Sequence, residues 1–276
     1  MFTLNCKGRL LVVDKPLIMG IINTTPDSFY SDSRQQDTDD VLKQAERMIN
    51  EGAAILDIGG QSTRPGSRQL SAEEELQRVI VPIEAVAQHF PGMIISVDSF
   101  YSRVVTEAVA AGASMINDIS AGSMDEQLIP TVAALDVPYV LMHMQGTPAT
   151  MQVDPRYDNV VKEVLDFFIK TTGKLHQAGI KDIIIDPGFG FGKTIAHNFS
   201  LLKHLDIFKM LNRPLLLGIS RKSTIYKTLG ITVEESLNGT SVLHSIGLMN
   251  GASLLRVHDV KQAREAIALV EAMKSA

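Results

Sequence analysis

The chain has a single cysteine, Cys6, among its 276 residues. One thiol excludes a disulfide framework and any cysteine-built zinc site. A reduced, cytoplasmic setting is the simplest expectation. No apolar stretch approaches the ~20 residues a membrane span requires. The N-terminus has no charged region followed by an apolar one, so neither a membrane anchor nor a signal peptide is expected. Positive charge is in short supply: 26 Lys and Arg stand against 31 Asp and Glu, a formal net charge of −5. With no basic stripe either, a nucleic-acid partner is not expected. No linker rich in Pro, Gly or Ser interrupts the chain, so residues 1–276 are expected to form one domain, with 1–14 as a hairpin turning at Lys7-Gly8. His143 has no His-x-His companion and no His-Glu-x-x-His occurs, which argues against a zinc hydrolase.

What the chain does have is a recurrent juncture. Apolar segment 18–22 runs into Asn23, 53–56 into Asp57 and 93–97 into Asp98. Segment 113–116 runs into Asn117, 137–142 into His143 and 183–185 into Asp186. Segment 215–219 runs into Ser220-Arg221-Lys222, and 253–255 into Arg256 and His258. Helical patterns follow each segment, at 38–52, 71–91 (opened by the capping box Ser71-Ala-Glu-Glu74), 102–111, 125–135, 158–178, 197–211, 233–249 and 261–273. Eight strand–helix units with chemistry at every strand end predict a (β/α)8 TIM barrel whose active site gathers those ends.

The carboxylates of Asp57, Asp98 and Asp186 in one mouth would repel one another unless donors or cations offset them. A ligand with several N–H groups, a metal, or Lys222 and the arginines would each do so. A pterin or guanine ring is the kind of ligand that fits. Each aspartate alone also fits a helix N-cap. Asp186-Pro-Gly-Phe-Gly-Phe-Gly-Lys193 is neither a Walker loop nor a dinucleotide fingerprint, because Pro187 and Lys193 stand where glycines are needed. Its glycines would let the backbone pass close to a flat ligand on which Phe191 stacks. Arg256-Val-His258 suits a phosphate, with Arg64 joining; the plain alternative is Arg256 paired with a nearby Asp. Lys222 reads equally as a Schiff-base lysine or a fixed cation. Two long segments, 24–37 and 61–70, read as lids or as surface loops.

Taken together, these motifs resemble the dihydropteroate synthases. Met19-Gly-Ile-Ile-Asn23-Thr-Thr-Pro-Asp27-Ser-Phe29 is similar to the family's first signature, and Asp57-Ile-Gly-Gly-Gln-Ser-Thr63-Arg64-Pro65-Gly66 to its second. Asp98, Ile116-Asn117-Asp118, the Asp186 motif, Ser220-Arg-Lys222-Ser223 and Arg256-Val-His258 follow in the family's order. The resemblance implies a barrel that condenses 6-hydroxymethyl-7,8-dihydropterin pyrophosphate with p-aminobenzoate. The products would be 7,8-dihydropteroate and pyrophosphate, with Mg2+ as cofactor and a homodimer as the assembly. It implies Asn23 as the magnesium ligand. Asp98, Asn117, Asp186 and Lys222 would hold the pterin, with Asp57 nearby. Arg64, Arg256 and His258 would hold pyrophosphate. Thr63, Pro65, Phe191 and Ser223 would shape the aminobenzoate pocket, with Phe29 at its edge. Asp98, Lys222 and Arg256 would carry the catalysis.

The chain departs from the family in three places. Tyr30-Ser-Asp-Ser33 replaces an expected Asp-Gly-Gly, Gln61 stands where Glu is common, and Ser99 where Thr is usual. A pterin-dependent methyltransferase domain is the nearest rival, but it has no use for the Ser-Arg-Lys and Arg-x-His pair. A non-catalytic pterin-binding barrel is the rival of another class.

Overall fold

The first two strands, β1 (Phe2–Cys6) and β2 (Arg9–Val13), pair antiparallel from Phe2↔Val13 to Cys6↔Arg9. The turn residues Lys7 and Gly8 have φ of 53° and 83°, the left-handed pair that matches strand twist in a two-residue hairpin. The computed structural model describes residues 1–24, 34–61 and 68–276, with backbone alone for 34–37. Eight parallel strands follow the hairpin: β3 (Leu17–Asn23), β4 (Ile55–Gly59), β5 (Ile94–Asp98), β6 (Met115–Asp118), β7 (Tyr139–Met142), β8 (Ile183–Asp186), β9 (Leu216–Leu217) and β10 (Leu254–Val257). They run in the order β8-β7-β6-β5-β4-β3-β10-β9. A parallel bridge between Ile185 and Leu215 joins the two ends, so the sheet closes into the expected barrel.

Strand side chains alternate inward and outward. Outward residues such as Ile22, Leu56, Ile58, Val97 and Leu255 pack under the helices. Inward, one residue from each strand builds an apolar layer: Met19, Ile55, Ile94, Met115, Val140, Ile184, Leu216 and Leu254. Leu4, Cys6 and Val13 of the hairpin press on that layer from below. The hairpin is therefore the floor of the barrel. The next inward position of four strands carries Asp57, Asn117, Asp186 and Arg256. Asn23 and Asp98 lie one further step up.

The helices are α1 (Arg34–Glu51), α2 (Ala72–His89), α3 (Ser102–Ala111), α4 (Leu128–Leu135), α5 (Val160–Gln177), α6 (Ile195–Lys203), α7 (Ser223–Leu229), α8 (Leu237–Met249) and α9 (Val260–Ser275). The Ser71–Glu74 capping box forms in both directions. Several expectations shift: the first helix starts four residues early, at Arg34, and α8 four late, at Leu237, after a 3-10 turn at Glu234–Ser236. The fourth helix starts at Leu128, because Asp125 spends its carboxylate on the backbone N–H groups of Ser102 and Gln127. The 197–211 pattern breaks into α6 and a 3-10 turn at Leu205–Leu211. Before α8 stands α7, which the pattern did not predict; Thr224 and Ile225 are its buried residues, too few to show a helical stripe. Among the described residues no helix is long and apolar enough to cross a membrane.

Candidate active site

The strand register brings the expected residues to one mouth. Asn23 pairs with Gly59, Gly59 with Asp98, and Asp98 with Asn117, across four neighbouring strands. None of the three barrel aspartates caps a helix: α2 is capped by Ser71, α6 by Thr194, and Tyr101 precedes α3. Their carboxylates belong to the mouth instead.

Arg256 is the hub. Its Nε donates to Asp57 Oδ2 at 2.6 Å and its Nη2 to Asp98 Oδ2 at 2.6 Å. Asn117 Nδ2 donates to the same Asp57 oxygen at 2.9 Å. The pairing of Arg256 with nearby aspartates is thus what this structure contains, and it answers the repulsion among the carboxylates. Asp57 Oδ1 is buried and has no hydrogen-bond partner, an acceptor that awaits a donor. Burial pushes the Asp98 carboxyl up to about 7 against the pull of Arg256. Burial also raises Asp186, against the pull of Lys222.

Asp186 Oδ1 accepts from the Gly188 N–H at 2.8 Å. Lys222 Nζ donates to the Phe189 carbonyl at 2.5 Å and sits 4.6 Å from the centre of the Phe191 ring. Burial brings Lys222 down to about 8, although Asp186 draws it back up. The loop after β8 and Lys222 after β9 therefore form a cradle with carboxylate, ammonium and aromatic face side by side. Gly188, Gly190 and Gly192 all have positive φ. The reason differs from the expected approach of a ligand. A Cβ on Gly188 would stand 1.9 Å from the His143 carbonyl oxygen, and one on Gly192 2.4 Å from that of Gln145. These two glycines let this loop pack on the one after β7.

Lys193, read only as a mismatch to a nucleotide loop, locks that packing. Its buried Nζ donates to the carbonyls of His143, Gly188 and Phe191 at 2.9–3.1 Å and meets His143 Nδ1 at 2.9 Å. Burial pushes His143 down to about 3, so its ring stays neutral beside the Lys193 ammonium. His143 also packs edge-on against Phe167.

His258 Nδ1 lies 3.0 Å from Ser220 Oγ. Arg221, with φ of 53°, makes a two-pronged pair with Asp259 at 2.8 and 2.9 Å. It anchors the post-β9 loop to the foot of α9. Beside the carboxylate mouth, Asn23 and His258 line a cavity of about 360 Å3 with Ile21, Gln44, Arg47, Arg221 and Asp259. Ser223 opens α7 directly after Lys222. Thr63, Arg64, Pro65 and Phe29 lie outside the described residues.

A closed barrel whose rim gathers acidic, amide and cationic side chains around an unfilled acceptor defines an enzyme of the pterin-binding class, and the pterin binding enzyme family model matches residues 19–258. The Escherichia coli (strain K12) dihydropteroate synthase is 46% identical over 272 residues, covering 98% of this chain and 96% of its own. A Xanthomonas albilineans dihydropteroate synthase solved with 4-aminobenzoic acid superimposes with a TM-score of 0.92 at 42% identity, over 99% of this chain and 98% of that one. A Yersinia pestis dihydropteroate synthase in a sulfonamide drug complex does so with 0.94 at 41%, over the whole of both chains. The chain belongs to the dihydropteroate synthase family.

Proposed function

We propose that this chain condenses 6-hydroxymethyl-7,8-dihydropterin pyrophosphate with p-aminobenzoate, giving 7,8-dihydropteroate and pyrophosphate in folate biosynthesis. The observation that carries the reading is the Asp57–Arg256–Asp98 network with its spare buried acceptor, facing Asp186 and Lys222. The amino and N–H edge of a pterin supplies the donors that Asp57 Oδ1, Asp98 and Asp186 lack. Asn117 and Lys222 answer the ring's carbonyl and nitrogen acceptors. If the C–O bond opens before the amine attacks, Asp98 faces the cationic pterin and stabilises it in a water-poor pocket. Arg256, already at the mouth, turns its donors to pyrophosphate, together with His258 and Arg64. Phe191, Ser223, Thr63 and Pro65 form the aminobenzoate pocket.

Among the described residues no cluster of three His, Cys, Asp or Glu could hold a metal alone. Mg2+ takes few protein oxygens and completes its shell with phosphate and water. The exposed Asn23 amide on the 360 Å3 cavity fits a metal of that kind. Bound there, Mg2+ would offset the charge growing on the leaving group.

We further propose that residues 1–276 form a single pterin-binding domain and that the chain works in the cytoplasm as a homodimer. In support, Val242, Ile246 and Met249 expose an apolar row on α8, and Leu269 and Met273 another on the adjoining α9. The test of the reaction is a coupling assay with both substrates. Pyrophosphate release and dihydropteroate formation, both abolished by chelation and restored by Mg2+, are expected. Methyl transfer, or pterin binding with no product, would point instead to the two rival readings. In the Yersinia relative the complexed drug is a sulfonamide; the same drug class is expected to compete with p-aminobenzoate here.

A further inference from the structure

Helix α2 opens with three glutamates in a row. Glu73 turns outward to Arg103 at 2.9 Å, and Glu74 to Arg68 at 2.5 Å. Glu75 turns inward, is completely buried, and among the described residues pairs with no arginine. Its Oε2 accepts one hydrogen bond, from Ser99 Oγ at 3.2 Å; its Oε1 is buried with no partner. The Arg78 guanidinium, whose charge bears on Glu75, donates to the Gly60 carbonyl at 3.1 Å instead.

The position of this carboxyl is specific. Ser99 follows Asp98 directly, and its N–H donates to the Asn117 carbonyl at 3.1 Å. On the other side, Glu75 Cγ lies 3.3 Å from where a Cβ on Gly60 would stand. The preceding Gly59 would carry a Cβ 3.1 Å from that of Asp98. Glu75 therefore touches both strands that hold Asp98 in place, the one that bears it and the one it lies against. Missing Cβ atoms at Gly59 and Gly60 are what allow the helix and Asp98 to approach so closely.

We propose that Glu75 is a positioning residue for Asp98: an uncharged, proton-bearing carboxyl that braces the backbone on both sides of Asp98 and keeps a second negative charge away from it. A bare carboxylate with a single hydroxyl donor is not tolerated in so dry a place. Burial first, and the Asp98 charge second, push Glu75 up to about 8. The ionisable groups that bear on it among the described residues are Asp98 from β5 and Arg78 from its own helix. Coupling runs both ways: a charge on Glu75 would make the Asp98 carboxylate, the group offered to the pterin, harder to keep. The kinetic consequence rests on the proposed coupling reaction, whereas the protonation state rests on the fold alone.

The experiment uses the full chain, 13C-labelled at Glu and Asp carboxyls, with Glu75→Gln to assign the Glu75 signal. A Glu75 titration midpoint well above neutrality is expected; a midpoint in the ordinary carboxylate range overturns the proposal. The Asp98 signal is expected to keep its midpoint in Glu75→Gln and to move in Glu75→Ala. In turnover at pH 7, Glu75→Gln should match the parent. Glu75→Ala should lose on the order of tenfold or more in kcat, the cost of a misplaced group, at unchanged KM for p-aminobenzoate. Loss of kcat in Glu75→Gln with an unchanged melting curve would show that the charged form is needed and end the idea. If Glu75→Ala does not fold, the Gln variant and the titration still decide. If the parent releases no pyrophosphate, the coupling reaction has failed, and the two carboxyl titrations judge Glu75 by themselves.

Discussion

At the scale of single residues, Arg256 has two duties that conflict in charge. It neutralises Asp57 and Asp98, and in the proposed reaction it is also offered to pyrophosphate. Its side chain is 20% exposed, that of Asp98 15% and that of Asp57 0%, so the pairs are largely shielded from water. Removing one partner of such a pair costs about 3 kcal/mol, because the other charge stays buried. Arg256→Gln is therefore expected to destabilise the chain by about that amount. The penalty should depend on pH. Burial already holds Asp98 at about 7, above its ordinary value, and Arg256 is the strongest influence pulling it down. A carboxyl whose pKa is raised by folding favours the native state in acid, and this support is lost as pH rises through the folded value. Without Arg256 that value climbs, so the variant should suffer less at about pH 5 than at about pH 9. Urea melts at the two pH values check this, and equal penalties would mean that the Asp98 contact contributes nothing. Residues of this kind were readable in the sequence because each follows an apolar strand. Glu75 was not. It sits in the buried stripe of α2 with Leu76, Val79 and Ile83, but the run of three glutamates reads as a solvated first turn.

At the scale of elements, the loop from Asp186 to Lys193 shows why glycine positions are easier to read than their causes. The sequence marks three glycines; it does not show that the His143 and Gln145 carbonyls, from another loop, are what Gly188 and Gly192 must avoid. The distinction predicts an order of damage. Gly188→Ala combines left-handed strain with a backbone clash at 1.9 Å and should cost more than ~3 kcal/mol. Gly190→Ala has the strain, but its Cβ would meet only the flexible Lys222 Cδ, at 3.3 Å. A loss of about 1–2 kcal/mol is expected there. Because that side chain must shift, Gly190→Ala should also lower turnover. Chemical denaturation and steady-state kinetics of the pair separate the two effects. The same limit on local signals hid α7, which tertiary packing holds after Lys222. It also hid Lys193, whose three carbonyl acceptors lie on two loops. The capping box, the hairpin turn and the eight strands were readable because each writes its rule over a few adjacent residues.

At the scale of the whole molecule, the barrel divides its length between stability and chemistry. The inner layer from Met19 to Leu254 separates the rim from the hairpin floor. The floor is tied on by more than its apolar face. The Asn5 N–H donates to Asp182 Oδ2 at 2.6 Å, Lys7 Nζ to the Val109 carbonyl at 2.8 Å, and Arg9 Nη2 to the Pro91 carbonyl at 2.7 Å. These contacts reach the segment before β8, α3 and the turn after α2, so the hairpin ties together three separate parts of the lower edge. Leu4, only 2% exposed, is one of its buried apolar contacts, with Cys6 and Val13. Truncating a buried leucine costs about 2–5 kcal/mol through lost transfer energy and the cavity left behind. Leu4→Ala should therefore lower the unfolding free energy by that amount, read as a lower urea midpoint at unchanged m, while leaving kcat and both KM values at parental levels at room temperature. If KM for either substrate moved with the midpoint, the floor and the rim would be mechanically coupled. The inner layer would then transmit strain from one to the other, as close packing allows, instead of isolating them.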